Sequence, residues 1–403
     1  MTIEYRSPSA DEGVVPALST TYRAFGAEIR DYDREHVPKL MPADRIQCAF
    51  DNGKPIATAA AYAFDLTIPG GQLPVGGVTW VGVLPSHRRR GVLTELMRRQ
   101  LHDLHQRGEP LAALWATESA IYGRFGYGIA APVFELRGGT ATFRFRGNPD
   151  PVGGVRLVER EEAREAFPPI YERVRPTIAG MLTRIPELWD VYRLADEDFM
   201  RDGFGPKFYA LYERDGSAEA YATYRIKSNW EDGLPHYELT VIEAIAASPV
   251  ATRELWRFLF NVDLVTRVSS NLFDPGSPLF LMVVDPRRLE LKLMEGLWLR
   301  LVDVEAALRA RCYADDESVV LEVGDELCPW NAGRYRVGAD AGRTDAEPDL
   351  RLDVADLASA YLGAFDFQRL AAALRVEELR PGALARANRL FRTPRPPFCP
   401  EIF

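Results

Sequence analysis

The sequence contains few of the residues from which metal sites and disulfide frameworks are built. Only four cysteines and five histidines occur in 403 residues. No C-x-x-C pair or H-E-x-x-H arrangement is present, and His102 and His105, which would share a helix face, have no third ligand near them in the sequence. We therefore expect free thiols in a reducing compartment, two solvated helix histidines and no bound metal.

The sequence also lacks an excess of basic residues and any long apolar run. Lys and Arg total 49 against 58 Asp and Glu, a formal net charge of -9, which disfavours nucleic acid and mildly favours cationic partners such as amines. No segment approaches a membrane span in length, and the first residues, MTIEYRSPSADEG, have no apolar signal core. These absences predict a cytoplasmic globular protein, and 403 residues are enough for two or three domains.

The first part of the chain alternates strand-like and helix-like patterns. We expect strands over residues 45–50, 56–64, 75–84 and 111–116, the first two joined by the hairpin turn Asp51-Asn52-Gly53-Lys54. Apolar residues recur at helical spacing over residues 88–106, and a Gly-rich helix or turn should follow over residues 119–128. This order predicts a βαβ unit in a mixed sheet.

A second part repeats this order loosely. Residues 138–154 alternate as a strand would before turn residues begin, and we place a boundary near Gly147. A helix over 159–167 should be interrupted by Pro168 and Pro169, and strands over 207–212, 218–227 and 236–246 should precede a helix over 251–262. The repeat has no counterpart of the sequence His87-Arg88-Arg89-Arg90-Gly91.

The pattern of predicted helices and strands changes beyond Leu297. Residues 302–310, 353–362 and 367–374 read as helices, and residues 318–323 and 333–337 as a pair of strands. The last segment, RTPRPPFCPEIF over residues 392–403, contains four prolines, and composition alone predicts a frayed tail.

Residues 77–93 carry the strongest chemical signal, because a strand there leads into an arginine-rich turn and then a helix. A helix start offers unpaired N–H groups and a positive dipole end, Arg88, Arg89 and Arg90 can pair with phosphate, and Gly91 lets an anion approach the backbone. If the strand edge near Val81 and Val83 is unpaired, it can bond an amide-containing chain. The alternative is a solvated basic helix end, which the opposed helix dipole disfavours.

These motifs resemble a known superfamily. The R-x-x-G at Arg88–Gly91 is similar to the acetyl-CoA signature of the GNAT acetyltransferases, although Leu93 stands where that superfamily usually has Gly or Ala. A resemblance to the Eis (enhanced intracellular survival) family of aminoglycoside N-acetyltransferases covers nearly the whole chain. It includes P-S-H-R-R-R-G at residues 85–91, I-Y-G-R-F-G-Y-G at 121–128, L-R-L-V-D-V at 299–304 and a terminal Phe.

The resemblance implies an α/β fold with mixed sheets in three parts. These are a catalytic GNAT domain at 1–147, a second GNAT-like domain without a cofactor loop at 148–296, and a domain resembling sterol carrier proteins at 297–403. It also implies a homo-hexamer, acetyl-CoA as co-substrate and a small-molecule amine as acceptor. The implied general acid is Tyr122 and the implied general base is the α-carboxylate of Phe403. The implied cofactor contacts are Val81, Gly82, Val83, Arg88, Arg89, Arg90, Gly91, Val92 and Thr117.

Acetyl transfer to an amine requires such a pair of groups. The amine must lose a proton before it attacks the thioester, and the departing thiolate must gain one. A tyrosine stays protonated at neutral pH, whereas a terminal carboxylate is a weak base in water that burial would strengthen. The glycines around Tyr122 should allow a cofactor to approach, although most tyrosines pack in cores with a backbone partner, as we expect of Tyr127.

Three aromatic residues and one acidic residue are candidates for the acceptor pocket. Phe25, Phe64 and Trp80 can offer aromatic faces to a cationic amine, with Glu401 as an acidic partner, although core packing is the better explanation of each aromatic residue taken singly. Three alternatives to small-molecule acetylation stay open at this point. They are acetylation of protein lysines, a CoA sensor without turnover, and a lipid carrier that would need an apolar tunnel in residues 297–403.

Overall fold

The computed structural model describes residues 3–403, which divide into two compact units. The first contains the chain up to Ala131, Gly296–Pro394 and Glu401–Phe403, and the second contains Pro132–Glu295 and Arg395–Pro400. The domain boundaries predicted at residues 147 and 296 stay predictions. Within residues 3–403, no helix is long and apolar enough to cross a membrane.

Residues 3–139 form six strands and four helices. In chain order they are β1 (Glu4–Arg6), α1 (Val15–Ala24), α2 (Asp31–Leu40), β2 (Ile46–Asp51), β3 (Lys54–Ile68), β4 (Gly71–Val83), α3 (Val92–Gln106), β5 (Leu111–Trp115), α4 (Ser119–Tyr122) and β6 (Gly128–Gly139). The predicted hairpin is confirmed, since Asn52 and Gly53 both have positive φ, at 49° and 73°. Strands β1 to β4 pair antiparallel, and β5 pairs parallel to β4.

The next stretch of chain has the same order of elements. It contains β7 (Gly154–Val158), α5 (Arg160–Val174), α6 (Pro186–Leu188), β8 (Phe208–Arg214), β9 (Ser217–Lys227), β10 (Trp230–Glu231), β11 (Leu234–Pro235), β12 (Tyr237–Ala246), α7 (Pro249–Phe260), β13 (Val265–Phe273), α8 (Leu279–Met282) and β14 (Lys292–Leu301). In the second unit the strand order is β6-β13-β12-β9-β8-β7, with β12 and β13 parallel.

The last elements form a separate sheet with helices. They are α9 (Val304–Ala310), β15 (Val319–Gly324), β16 (Gly333–Val337), β17 (Gly342–Arg343), β18 (Leu350–Asp353), α10 (Val354–Tyr361), α11 (Phe367–Ala372), β19 (Val376–Glu378) and α12 (Ala383–Phe391). The sheet order is β17-β16-β15-β18-β19, which confirms the predicted pairing of the strands near 318–323 and 333–337. Short 3-10 turns occur at Ala43–Arg45, Pro85–His87, Gly123–Phe125, Arg175–Thr177, Asp198–Met200, Pro286–Leu289 and Pro329–Asn331, and a π-helical turn at Trp189–Arg193.

Two expectations about the second part of the chain were wrong. Helix α5 continues through Pro168 and Pro169, because its buried face, which includes Phe167 and Ile170, outweighs the loss of helix hydrogen bonds. Residues 140–153 form turns with one isolated bridge, from Phe145 to Val283, rather than a strand. The alternation there arises because Phe143 stacks on Phe260 and Phe145 packs into the same core.

Candidate active site

A cleft of about 400 Å3 lies between the end of β4, the start of α3 and the segment after β5. The structure brings most of the predicted site residues to its walls, namely Phe25, Val81, Gly82, Val83, Arg88, Arg89, Gly91, Val92, Thr117 and Tyr122. Arg90 is exposed and lies outside the lining. The sequence alone assigned no site role to seven further lining residues, which are Ala24, His87, Leu93, Thr94, Glu118, Ile121 and Arg124.

The N-terminus of α3 forms one wall. The helix begins at Val92 and not at Arg88 as predicted, because Arg89 and Gly91 have φ of 62° and 78°, in the left-handed region that ends or precedes a helix. Gly91 is the N-cap, and within residues 3–403 no side chain caps it. A Cβ at Gly91 would meet nothing within 4 Å. The first N–H groups of α3 therefore lie beside open space, where they can bind an anion.

The arginine turn lies beside this helix start. Arg88 donates from Nε to the Val83 carbonyl at 3.2 Å and from Nη2 to the Ala24 carbonyl at 3.0 Å. His87 also lines the cleft, and its Nε2 lies 3.3 Å from a carboxylate oxygen of Asp51. This contact connects the turn to the β2–β3 hairpin. Part of the Arg88 fork thus fixes the turn to the protein, while its charge remains at the mouth of the cleft.

Strand β4 is irregular where it enters the cleft. Its register with β3 slips between the pairs Ala60–Thr79 and Thr58–Gly82, and Trp80, inside the bulge, has φ of 50°. The Thr58 hydroxyl donates to the Trp80 carbonyl at 2.7 Å, and the Thr21 hydroxyl lies 2.6 Å from the Thr58 oxygen and 3.3 Å from the same carbonyl; both threonines are buried. The bulge is therefore fixed by two side chains from other elements.

The other edge of β4 is mostly free of strand partners in this region. Within residues 3–403, its pairing with β5 covers only Val75–Gly77 with Leu111–Ala113. The strand beyond Gly77 therefore presents backbone groups to the cleft at Val81 and Val83, as the strand-addition hypothesis requires.

Tyr122 lies at the end of α4 and lines the cleft. Only 7% of it is exposed, and burial, with a smaller contribution from the Glu118 charge, raises its pKa to about 12. Its ring packs edge-on against Tyr127, with centroids 6.0 Å apart. Tyr127 is fully buried, but the expectation that its hydroxyl bonds a backbone group was wrong, since no group in residues 3–403 hydrogen-bonds that hydroxyl.

The glycines that follow Tyr122 do not serve the purpose expected from the sequence. A Cβ at Gly126 would meet Arg300 at 2.7 Å, and one at Gly128 would meet the Ala355 carbonyl at 1.9 Å. These glycines therefore permit contact with the C-terminal part of the chain rather than with a cofactor. Only Gly123 has open space at its Cβ position.

The tail is packed and not frayed. In the first unit, the Trp115 indole donates to the Glu401 carbonyl at 2.5 Å, and Glu401 is buried with 2% exposed. The Phe403 ring meets Phe64 at 5.4 Å between centroids, next to Gly77, where a Cβ would come within 3.2 Å of it. In the second unit, Phe398 is buried and donates its N–H to the Ala179 carbonyl at 2.9 Å.

The predicted acceptor residues fall into two places. Phe64 belongs with Tyr62 and Trp80 to an aromatic cluster that includes Phe403, with centroid distances of 5.4 to 6.2 Å. Phe25 is 59% exposed and lies instead on the cleft wall beside the arginine turn.

Within residues 3–403 there is no group of His, Cys, Asp or Glu placed to hold a metal ion. His105 is not solvated as expected, because its ring stacks on Trp330 at 4.7 Å.

The corresponding position in the second unit is smaller, with a cavity of about 210 Å3 at the start of α7 beside Ser248 and Pro249. Helix α7 is capped by its own Ser248, whose Oγ accepts from the Ala251 N–H at 3.1 Å. The cavity between the end of β12, α7 and β13 has only about 90 Å3, and the tail residues Arg395 and Phe398 form part of its wall. No arginine turn precedes α7, because Ala247 and Ser248 alone join β12 to it.

Comparisons with known proteins agree with this geometry and define the class. Two family models for a GNAT acetyltransferase domain match the chain, one over residues 4–130 and the other over residues 180–301. A model for a sterol carrier protein domain matches residues 304–400. The chain therefore has two GNAT domains followed by a sterol-carrier-like domain, and it is an N-acetyltransferase of the superfamily that uses acetyl-CoA.

The relatives identify the family. An uncharacterized N-acetyltransferase of Streptomyces avermitilis is 41% identical over 95% of this chain and 96% of its own. The N-acetyltransferase Eis of Mycobacterium tuberculosis is 36% identical over 97% of both chains. The crystal structure of Eis1 from Mycobacterium abscessus covers 100% of both chains with a TM-score of 0.88 and 33% identity. The chain belongs to the Eis family of N-acetyltransferases, as the sequence motifs predicted.

Proposed function

We propose that this enzyme transfers an acetyl group from acetyl-CoA directly to primary amines of polycationic small molecules such as aminoglycosides. The observation that carries the proposal is the uncapped start of α3 beside Arg88 and Arg89, in the same cleft as Tyr122. A pyrophosphate at this helix start would place the rest of the cofactor along β4, toward the tyrosine.

Each cofactor contact has a physical reason. The backbone of Val81, Gly82 and Val83 pairs with the amides of the pantetheine arm, because this edge of β4 lacks a strand partner. The N–H of Val92 and the charges of Arg88 and Arg89 bind phosphate, with Gly91 leaving room. Arg90, outside the lining, adds only positive charge, and the Thr117 hydroxyl donates at the inner end of the cleft.

Tyr122 acts as the acid in this mechanism. The amine nitrogen attacks the thioester carbonyl carbon, the carbon–sulfur bond breaks, and sulfur leaves with the electron pair and takes up a proton. With its pKa near 12, the phenol is protonated throughout the physiological range. Complete transfer to a thiolate of reference pKa roughly 8.5 would be uphill by roughly 5 kcal/mol. Tyr122 therefore first donates a hydrogen bond to the sulfur, and the proton moves as charge develops there.

The Phe403 α-carboxylate is the base, directly or through water. A terminal carboxylate has a reference pKa of roughly 3.5, so its main contribution is to orient the ammonium form of the acceptor and receive its proton. Packing of the Phe403 ring on Phe64, and of Glu401 under Trp115, supports a fixed position for the terminus. Glu401 and the ring of Trp80 are the proposed acceptor contacts, with Phe25 at the entrance.

Two further features belong to this proposal. We expect a homo-hexamer, as the family resemblance implies, and a cytoplasmic enzyme. Acetylation of protein lysines uses the same groups and is the alternative acceptor class. A lipid-carrier role is disfavoured, since the depressions described within residues 304–394 are open and lined by charged residues such as Glu322, Arg351 and Arg375.

The experiment is a thiol-release assay with acetyl-CoA against aminoglycosides, polyamines and lysine peptides. For the preferred acceptor, Tyr122→Phe should lower kcat at least roughly tenfold and leave the acetyl-CoA Kd nearly unchanged. Tyr127→Phe is the matched control, because it removes from the same motif a hydroxyl that bonds to no described group. Equal turnover in Tyr122→Phe and wild type would remove Tyr122 from the mechanism, and a preference for lysine peptides would select the alternative acceptor.

A further inference from the structure

A buried arginine holds the turn that follows Tyr122. Arg300, on β14, is fully buried and donates from Nε to the Phe125 carbonyl at 2.9 Å. Its Nη2 bonds both carboxylate oxygens of Asp325 at 2.8 and 2.7 Å, and its Nη1 bonds the Leu301 carbonyl at 2.8 Å. The guanidinium therefore joins the motif of residues 121–128 to a carboxylate in the sterol-carrier-like domain.

Further hydrogen bonds fix the orientation of that carboxylate. Asp325 accepts from the Cys328 N–H at 3.0 Å and from the Asn331 side-chain amide at 3.0 Å. The Asn331 amide oxygen in turn accepts from the Val304 N–H at 2.9 Å. A paired and fully hydrogen-bonded buried charge has one favourable geometry, so Arg300 is held in a single position.

The same turn also packs on helix α10. A Cβ at Gly126 would meet Val354 at 2.9 Å as well as Arg300, and one at Gly128 would meet the Ser359 hydroxyl at 2.5 Å. Gly126 has φ of 79° and donates its N–H to the Gly123 carbonyl at 3.0 Å. The turn is thus in close contact with the C-terminal domain at Gly126 and Gly128, whereas a Cβ at Gly123 would meet nothing within 4 Å.

We infer that Arg300 and Asp325 are positioning residues for Tyr122, through which the sterol-carrier-like domain holds the acid at the thioester sulfur. The inference rests on the proposed role of Tyr122. The mechanical link is short: Phe125 is three residues from Tyr122, and the Tyr127 N–H donates to the Tyr122 carbonyl at 3.3 Å. Displacement of a catalytic group by about 1 Å can lower a rate by roughly a hundredfold.

The test compares two conservative substitutions of buried arginines. Arg300→Lys can still pair with Asp325 but has one nitrogen and cannot also reach the Phe125 carbonyl. Arg311→Lys is the matched control, since Arg311 is 3% exposed and donates to the Tyr361, Cys312 and Phe391 carbonyls, away from the Tyr122 turn. We expect Arg300→Lys to lower kcat about tenfold with less than threefold change in acetyl-CoA Kd, and Arg311→Lys to lower Tm while retaining kcat.

A double variant keeps the inference testable if Arg300→Lys does not fold. Replacing both partners, Arg300→Met with Asp325→Leu, removes the buried charges together, which proteins often tolerate. It should show the same loss of kcat with a retained acetyl-CoA Kd. Full kcat in a folded variant that lacks Arg300 would overturn the inference.

Combination with Tyr122→Phe separates this inference from the proposed function. If Arg300 acts through Tyr122, adding Arg300→Lys to Tyr122→Phe should lower kcat less than twofold further, whereas an additional tenfold loss would overturn the inference. Full turnover in Tyr122→Phe alone would instead refute the acid assignment.

Hydrogen exchange tests the connection between Arg300 and the Tyr122 turn without a measurement of activity. Arg300→Lys should speed exchange in residues 119–131 at least tenfold and leave α3 unchanged, and unaltered exchange would overturn the inference.

Discussion

The two threonines that hold the β4 bulge allow a test of how the strand is prepared for a cofactor. Thr58→Val keeps the volume of a fully buried side chain and removes its hydrogen bonds to the Trp80 carbonyl at 2.7 Å and to Thr21 at 2.6 Å. The Thr21 hydroxyl, 3.3 Å from that carbonyl, can then donate to it at the longer distance. A weakened partner for a buried carbonyl costs about 1–2 kcal/mol, and a residue such as Trp80 at φ of 50° stores about 1–3 kcal/mol of strain.

The strain stored at Trp80 is of the same size as the stabilisation lost with the Thr58 hydrogen bonds. The bulge can therefore change its backbone conformation when those hydrogen bonds are removed. If relaxation withdraws the backbone groups at Val81 and Val83, the loss of about 1–2 kcal/mol should raise the acetyl-CoA Kd by roughly fivefold to thirtyfold. Isothermal titration calorimetry measures this directly. Thr67→Val, a buried threonine further along the same strand, is the control and should bind as wild type does. A Thr58→Val protein with lowered Tm and unchanged Kd would refute the idea that the bulge prepares the strand.

Two other predictions follow from the site. Residues added after Phe403 should depress turnover more than they depress Tm, because the carboxylate would leave its position while Trp115 still holds Glu401; a fully active extended chain would show that the terminus takes no part. With the Tyr122 pKa raised to about 12, activity that needs its proton is complete below pH 10 and lost as pH rises through 12. The kcat profile from pH 7 to 10.5 should show no alkaline fall, and a midpoint near 9 would contradict the assignment.

The regular elements of the fold could be predicted where one pattern decided the outcome. Leu96, Met97, Leu101 and Leu104 of α3 are buried, as their helical spacing predicted, whereas Leu93 is half-buried on the cleft wall. The pattern failed where tertiary packing competed with it. Pro168 and Pro169 should break α5 by local rules, but the packing of its apolar face decides otherwise. Phe143 and Phe145 alternate like a strand because both reach one core from an irregular turn.

The residues of the candidate site also differ in whether the sequence alone reveals them. Arg88 and Gly91 were visible in the sequence because a cluster of cations before a helix has few other uses. Thr21 and Thr58 could not be found, since 37 residues separate them and nothing in either sequence context marks a partner. The glycines near Tyr122 were noticed for the wrong reason, because a missing Cβ indicates close approach without indicating by what.

The two GNAT domains together explain why only one site is expected. Both contain a helix after the irregular strand, and a helix start needs partners for its first N–H groups. In α7 one of those partners is internal, since Ser248 caps the helix, and the neighbouring cavities have about 90 and 210 Å3 against about 400 Å3 at α3. In α3 no described side chain supplies them, and Gly91 leaves the space open. An uncapped N-terminus beside Arg88 costs stability unless an anion completes it, so acetyl-CoA binding should stabilise the first domain, with one cofactor bound per chain.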